Sequence, residues 1–190
     1  MVHIKTYFSY ALIALLLSST NSIFCEALEK SPTVKSAVNP SKTILEQITK
    51  QLNDKEAKVD LKKSILLLQS LADNGSTEAM LWLGRIYRDV LDESDRDAKK
   101  AFSYFKQAGG KEGKNYEAQY ELGKAYFYGE GTDRNLISAF LWTSLSLQKN
   151  TPVQEKAREQ VENLKGMLTD EQLKYAYQLV DNISSLYLSQ

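Results

Sequence analysis

The sequence is poor in the side chains that most enzymes use for catalysis or metal binding. Its 190 residues include one histidine, His3, and one cysteine, Cys25. Both lie in an N-terminal stretch with the layout of a cleavable leader, so a chain cut after Ala27 contains neither. Ser-His-Asp chemistry, Cys-His chemistry, disulfide scaffolds and zinc sites built from these residues are then excluded. We therefore expect no catalytic, cofactor or metal site.

The sequence also lacks an excess of charge of one sign. Its 24 basic and 24 acidic residues cancel. A nucleic-acid-binding protein usually carries a basic excess or a basic stripe, so the balance argues against nucleic acid as a partner. Charges of both signs in these numbers are typical of the solvated surface of helices.

Long apolar runs are absent except near the N-terminus. Lys5 precedes the run Tyr7–Leu17, and the small polar residues SSTNS follow it. This order is typical of a secretory signal peptide, and the run is too short to cross a bilayer, which takes about 20 residues. We predict a signal peptide at 1–27, cleaved near 22 or 27. The chain is then exported, periplasmic or secreted, with no membrane attachment after cleavage.

Two segments nearly repeat each other: EAMLWLGRIYRDV from Glu78 and EAQYELGKAYFYG from Glu117. Further on, DAKKAFSYFKQA from Asp97 reappears at almost the same offset as NLISAFLWTSLS from Asn135. Upstream, SILLLQSLADNG from Ser64 provides half a repeat before the first complete one. A period in the high thirties indicates a stacked array of repeats.

Each repeat has the pattern of two helices, since apolar and small residues recur at helical spacing. Gly84 and Gly123 lie inside the first helices at the same phase, where each costs about 1 kcal/mol relative to alanine. The pattern predicts that a second helix crosses each glycine closely, with Ala101 and Ala139 as the small residues opposite.

The flanking segments give the predicted domain organisation. Thr151 with Gln154, and Thr169 with the DEQ that follows it, predict capping boxes at the starts of two C-terminal helices, 152–168 and 170–188. The predicted divisions after the leader are a flexible linker at 28–40, N-terminal helices with a partial repeat at 41–75, repeats at 76–109 and 115–149, and C-terminal capping helices at 151–190.

The pattern A-x-x-x-L-G-x-x-Y, then Y-G-x-G, an acidic position and A-F in a second helix resembles the Sel-one-like repeat. The resemblance covers Glu78–Leu147 and part of Ser64–Asn74, and LTDEQLKYAYQLV resembles the terminal segment of exported bacterial members. It implies an all-α fold, a short right-handed α-solenoid of antiparallel helix pairs similar to tetratricopeptide arrays, closed by a C-terminal capping helix pair. Two departures are the turn RDVLDESDR, which lacks the paired glycines, and the loop GGKEGKN, which is two residues longer than its counterpart.

The stretch YFYGEGTDRN contains two closely spaced glycines, Gly129 and Gly131. The spacing does not fit a Walker motif or a dinucleotide fingerprint, so we interpret it as a turn in which Gly129 ends a helix. The serine-lysine spacings at Ser103 and Ser146 lack the companion motifs of penicillin-recognising enzymes.

The first helices also provide candidate partner-binding residues, because basic groups beside aromatics are favoured at interfaces. An array this short leaves open that neighbouring helices bury the same residues. Trp82 occupies the position of Glu121, which we expect to face solvent, so Trp82 needs cover from the helix at 41–52 or from a partner. The candidates are Trp82, Arg85, Arg88, Tyr120, Lys124, Phe127 and Tyr128.

These observations predict a non-enzymatic protein–protein interaction module, an adaptor or regulator. The resemblance implies an envelope protein or cell-wall enzyme as partner, or interaction with a host. One alternative is a cell-wall hydrolase that uses carboxylates such as Asp92, Glu93 and Asp95. Another is a quality-control adaptor in a eukaryotic secretory lumen, where the sequons at Asn74 and Asn182 would carry glycan.

Overall fold

The computed structural model describes residues 40–53, 60–110 and 112–188, and these residues form eight α-helices and no strand. The predicted all-α fold is confirmed. The leader predicted at 1–27 and the linker up to residue 39 lie outside the described residues. The helices are α1 (Pro40–Asn53), α2 (Leu61–Asp73), α3 (Thr77–Arg85), α4 (Ala98–Gly109), α5 (Tyr116–Tyr128), α6 (Leu136–Ser146), α7 (Gln154–Lys165) and α8 (Asp170–Leu188).

The chain divides into two compact units, residues 1–51 and residues 52–190. In the first unit, α1 carries Ile44 and Ile48 one helical turn apart, which places them on one face. Helices α2 to α8 belong to the second unit, which contains the repeats.

Most helices of the second unit begin at a short polar residue. The side chain at the N-cap accepts a hydrogen bond from the backbone N–H three residues later, which stabilises a helix start by about 1 kcal/mol. The residues that do this are Asp60, Ser76, Asp97, Asn115 and Asn135.

The two predicted capping boxes have different outcomes. Thr169 and Gln172 form the predicted box, with reciprocal hydrogen bonds of 3.1 and 3.3 Å. The box predicted at Thr151 is wrong, because α7 begins only at Gln154 and no side chain caps it. The Thr151 hydroxyl is buried and has no hydrogen-bond partner in the described part of the chain.

The helices of the second unit pack in chain order, from α2 on α3 to α6 on α7, and α8 packs back on α6. This arrangement confirms a helical solenoid. One core cluster lies between the first and second repeats and contains Leu81, Ala101, Phe105, Ala108, Ala118 and Leu122. A second cluster closes the C-terminal end and contains Ala139, Phe140, Val161, Leu164 and Ala176.

The C-terminal helix pair continues the register of the repeats. Three alanines separated by the repeat offset are fully buried, one each in α3, α5 and α7: Ala79, Ala118 and Ala157. The same offset relates three further buried residues: Leu83, Leu122 and Val161. The pair α7–α8, predicted as a cap, therefore occupies the place of a third repeat at the end of the array.

The predicted close crossings at the two helical glycines are confirmed. A Cβ on Gly84 would overlap the ring of Phe105 in α4. A Cβ on Gly123 would overlap the Thr143 hydroxyl and lie 3.2 Å from the carbonyl oxygen of Ala139 in α6. The residue opposite Gly84 is thus the buried Phe105 rather than Ala101, because the ring fills the space that the glycine leaves.

The joints between the two helices of each repeat end in the same hydrogen bond. The Asp97 N–H donates to the Tyr87 carbonyl, and the Asn135 N–H donates to the Tyr126 carbonyl, each at 2.9 Å. The first joint, which lacks the paired glycines, is one residue longer and contains a π-helical turn, Ile86–Val90.

The second joint contains Gly129 at φ 75°, a left-handed residue that ends α5 as predicted. The carbonyl oxygen of Ala125 accepts hydrogen bonds from the N–H groups of both Gly129 and Glu130, each at 2.9 Å. This pattern is the usual glycine-ended helix terminus, so the second joint is the more regular of the two.

We expect Gly84→Ala to lower the free energy of unfolding by about 1 kcal/mol, because an overpacking penalty of about 1–3 kcal/mol exceeds the helix-propensity gain of about 1 kcal/mol. Gly123→Ala should lower the free energy of unfolding by a larger amount, because the atoms that the new methyl group meets include the backbone of α6. Urea unfolding measures both. The control is Gly166→Ala, where the nearest atom is 3.6 Å away and little change is expected; equal effects at all three positions would contradict the close crossings.

Candidate functional site

Two grooves separate the first helices of successive repeats. We call the space between α3 and α5 the first groove and the space between α5 and α7 the second groove. Because these helices share the register of the repeat, each residue of the first groove has an equivalent in the second. The chemistry of the two grooves can therefore be compared position by position.

Charged side chains from both helices fill the first groove. Arg85 donates to Glu117 at 2.9 Å and to Glu121 at 3.2 Å, and Arg88 donates to Glu121 at 2.7 Å. The ammonium of Lys124 lies 3.5 Å from the same Glu121 carboxylate. We call these five residues the charge network.

Arg88 owes its position to the π-helical turn that contains it. Its guanidinium lies 5.1 Å from the centre of the Phe105 ring and donates to Asp89 as well as to Glu121. Burial by itself would lower the pKa of Arg88, but the hydrogen bonds and attraction from Asp89 and Glu121 raise it above its usual value.

Glu121 is the centre of the charge network and is only 5% exposed. Its predicted solvent-facing position is wrong, because three cations converge on its carboxylate. Burial would raise the pKa of this group, but the charge and hydrogen bond of Arg88, with Lys124 and Arg85, hold it below the ordinary value of 4.5. The carboxylate is therefore ionised at neutral pH.

Trp82 is half-buried and contacts side chains of its own helix. Its indole N–H donates to the Glu78 carboxylate at 3.2 Å, and the Arg85 guanidinium lies 5.4 Å from the ring centre. These contacts satisfy its polar atom and cover part of one ring face. Cover from the helix at 41–52 or from a partner stays a prediction.

The second groove keeps the backbone register but replaces the charged residues. On α5, the residues equivalent to Arg85, Arg88 and Asp89 are Lys124, Phe127 and Tyr128. On α7, the residues equivalent to Glu117 and Glu121 are Lys156 and Gln160. Among the described residues, no ion pair joins α5 to α7.

The second groove has no bridging ion pair among its described residues. It holds a cavity of about 360 Å³, a size within the usual range of ligand pockets. The rings of Phe127 and Tyr128 meet edge to face at one end, 4.9 Å between centres, and Tyr128 is 62% exposed. The lining residues are Tyr120, Phe127, Tyr128, Lys156, Glu159, Gln160 and Asn163.

The electrostatics of the second groove are mixed rather than of one sign. Lys156 and Glu159 both line the cavity, and neither forms an ion pair within the described residues. Burial raises the pKa of the Tyr120 phenol, with further contributions from the carboxylates of Glu121 and Glu159. The phenol is therefore neutral at physiological pH and available as a hydrogen-bonding group.

The structure separates the seven predicted partner-binding residues into two groups. Tyr120, Phe127 and Tyr128 meet at the second groove, although Tyr120 is largely buried. Trp82, Arg85, Arg88 and Lys124 belong to the first groove or its charge network. Carboxylates of the neighbouring helix already bind the guanidinium groups of Arg85 and Arg88, which is the alternative that the sequence left open.

The α7 wall of the second groove was missed by sequence reasoning. Its four residues are Lys156, Glu159, Gln160 and Asn163. The signal that could have located them is the position of Ala157 and Val161, which extend the register of α5 by one further repeat. The other identities of the repeat are lost in this helix.

The described residues contain no group of three or more histidines, cysteines or carboxylates that could hold a metal ion. The Ser146 hydroxyl is buried and donates to the Thr143 carbonyl at 2.6 Å, so its spacing from Lys149 does not create a nucleophile–base pair. No helix in the described ranges has the length and apolar content to cross a membrane.

We expect Glu121→Gln to lower the free energy of unfolding at pH 7 by about 2–4 kcal/mol, because it leaves buried cations without their counter-charge. The folded-state pKa of Glu121 is lowered, so its contribution is full above pH 4.5 and is lost as the pH falls through the folded value. The difference between the two proteins should therefore shrink at low pH in urea unfolding.

The matched control is Glu155→Gln, since Glu155 pairs with Arg158 at 2.7 Å on the surface, with side chains 82% and 56% exposed. An exposed pair contributes at most about 1 kcal/mol. Equal losses at the two positions, or a loss at Glu121 that does not depend on pH, would contradict the buried network.

Comparison with known proteins gives a family and a fold. Residues 77–109 and 117–150 match the family model of the Sel1 repeat. A search among curated proteins gives no match. The fold is similar to the crystal structure of c5321, a protective antigen present in uropathogenic Escherichia coli strains that displays an SLR fold.

The TM-score with c5321 is 0.66 at 19% sequence identity, over 77% of this chain and 30% of that one. This chain therefore spans less than a third of the length of c5321. The match shows a shared fold. The chain therefore contains two Sel1 repeats, within a fold similar to that of an SLR protein.

Proposed function

We propose that the chain is an exported, non-enzymatic protein-binding module that acts as an adaptor or regulator, and that the second groove is its binding site. Sel1 repeats generally mediate protein–protein interactions. The observation that carries the proposal is the contrast between two grooves of one register: ion pairs bridge the first, whereas no ion pair of the described residues bridges the second, which is lined by aromatic rings.

The composition of the second groove supports contact with a protein. Tyrosine and other aromatic side chains dominate the binding energy of interfaces because they bury a large area at a low entropy cost. Tyr128 exposes most of its ring beside Phe127, and this exposed apolar surface is a source of binding energy when a partner covers it.

The first groove supports the same proposal in another way. Its charge network links α3 to α5 through hydrogen bonds of 2.7–3.2 Å, so these two helices are held in a fixed relative position. A binding site needs supporting elements of this kind, because a pre-organised surface loses less entropy when a partner binds.

We propose export from the leader pattern at 1–27. The partner of an exported chain is then an envelope protein, a cell-wall enzyme or a protein outside the cell. The function needs no catalytic group, since an adaptor or regulator acts by binding. The proposal can be tested separately for binding and for location.

We expect a photo-crosslinking amino acid at position 128 to capture a protein partner in the native host, because Tyr128 borders the second groove. The matched control is position 90. Val90 is also an exposed residue of a joint, 45% exposed, but it does not line the cavity. Mass spectrometry of the adducts identifies the partner; equal adducts at both positions, or none at position 128, would argue against the groove as the binding site.

We expect the mature protein to be recovered outside the cytoplasm, with its mass reduced by that of a leader cut near position 22 or 27. Leu15→Arg breaks the apolar run and should leave the uncut chain in the cytoplasm. Cell fractionation with intact-mass measurement checks both. An uncut native chain in the cytoplasm would refute export and leave the binding result unaffected.

A further inference from the structure

We propose that Asn74 is a site of spontaneous deamidation and that the joint between α2 and α3 controls the reaction: the folded joint blocks it, and local opening of the joint permits it. The sequence contains a single Asn-Gly pair, Asn74–Gly75. Asparagine before glycine is especially prone to this reaction, because glycine has no side chain to obstruct the ring that forms. Asn74 lies outside both grooves, so this chemistry is independent of the proposed binding function.

The reaction needs water and no other reactant. The backbone nitrogen of Gly75 loses its proton to water or hydroxide and attacks Cγ of Asn74. The new C–N bond closes a five-membered succinimide ring, and the side-chain nitrogen leaves as ammonia. Water then opens the ring at either carbonyl group. One product is aspartate, and the other is isoaspartate, in which the backbone runs through the former side chain and contains one additional methylene group.

Both reacting residues are accessible to water. Asn74 and Gly75 form the turn after α2, and both are exposed. A Cβ on Gly75 would meet no heavy atom of the described residues within 4 Å, so the space beside the reacting pair is open. The reactivity of the pair in the folded chain is therefore decided by the backbone conformation and by hydrogen bonds rather than by packing.

The backbone of the turn holds the two reacting atoms apart. Asn74 has a φ of −90° and a ψ of 13°. At this ψ the Gly75 nitrogen is nearly eclipsed with the backbone nitrogen of Asn74 and is turned away from the Asn74 side chain. Ring closure needs the Gly75 nitrogen on the same side of the Cα–C bond as Cβ. Attack on Cγ therefore requires a rotation about ψ, one of the two soft dihedral angles of the residue.

Hydrogen bonds oppose this rotation. The Gly75 N–H donates to the Ala72 carbonyl at 2.8 Å, and the Asn74 side-chain amide donates to the Ser70 carbonyl at 2.7 Å. The first bond holds the proton that the reaction must remove, and the second holds the side chain that must turn toward the backbone. Both bonds have to break before the ring can close, so only an open form of the joint reacts.

The isoaspartate product changes the joint permanently. In the native joint, the Ser76 N–H donates to the Leu71 carbonyl at 3.0 Å across the turn. The additional methylene group of isoaspartate lengthens the chain between these two residues, so this bond and the bond from Gly75 to Ala72 cannot both form again. Deamidation therefore loosens the packing of α2 on α3, whereas the contacts among α4 to α8 are retained.

The test compares purified full-length protein with a synthetic peptide of residues 72–78, ADNGSTE, at physiological pH. Tryptic digestion with mass spectrometry detects the exchange of the side-chain amide nitrogen for oxygen and separates aspartate from isoaspartate. We expect the folded protein to react at least about tenfold more slowly than the peptide, because the closed joint is unreactive. Asn74→Gln should remove the product, which assigns the reaction to this residue.

Two matched variants distinguish opening of the joint from unfolding of the whole array. Ser76→Ala removes the cap of α3, where the Ser76 hydroxyl accepts from the Ala79 N–H at 3.3 Å. After correction for the rate of the matching peptide, deamidation should accelerate about 2- to 30-fold, the range for loss of one helix cap. Asn135→Ala removes the equivalent cap of α6 and should leave the rate unchanged. Circular dichroism shows that each variant folds.

Hydrogen exchange measures the same opening in the native protein without any substitution. The Gly75 N–H should exchange more slowly than in the peptide by the factor that slows deamidation, within about threefold, because its bond to Ala72 breaks before either reaction. Equal deamidation rates in the folded protein and the peptide would overturn the inference. Equal acceleration by Ser76→Ala and Asn135→Ala, or exchange of the Gly75 N–H as fast as in the peptide, would overturn it as well.

Discussion

The contact between a glycine of each first helix and a side chain of the second helix is the constraint on which the array depends. Gly84 lies against the Phe105 ring, and Gly123 lies against Thr143. Because these positions admit no Cβ, the two helices of each repeat approach more closely than ordinary side chains allow. The first helices of neighbouring repeats share one register, as the buried Ala79, Ala118 and Ala157 show. The grooves between them, and the comparison of their contents, follow from that register.

One backbone arrangement thus supports two kinds of space. In the first groove, Arg85 and Arg88 neutralise Glu121, and burial is tolerated because each charge has a partner. In the second groove, exchange of a few side chains removes the pairs and leaves aromatic rings beside unpaired polar groups. The first groove connects repeats, and the second is the proposed binding site. The division of roles is set by side-chain identity rather than by a change of fold.

The repeats, the helical glycines and the irregular first joint were all predictable from the sequence, because each leaves a local pattern. The burial of Glu121 was not, since it depends on arginines 33 and 36 residues away, and helical periodicity carries no information on such pairs. The aromatic wall of the second groove was among the predicted residues. Its α7 wall was not, because that helix retains only the small and apolar positions of the repeat, Ala157 and Val161, and has lost the leucine, glycine and tyrosine pattern.

The joint after α3 shows how the array accommodates a change of chain length. This joint is one residue longer than its counterpart and contains a π-helical turn at Ile86–Val90 and a 3-10 turn at Glu93–Asp95. The hydrogen bond from Asp97 to Tyr87 nevertheless forms at the same 2.9 Å as its counterpart in the next repeat. The additional residue of this joint is therefore absorbed within the joint. Each joint can be lengthened or shortened on its own, so the rim of a binding groove can be remodelled in evolution or by design while the packed helices beneath it stay in place.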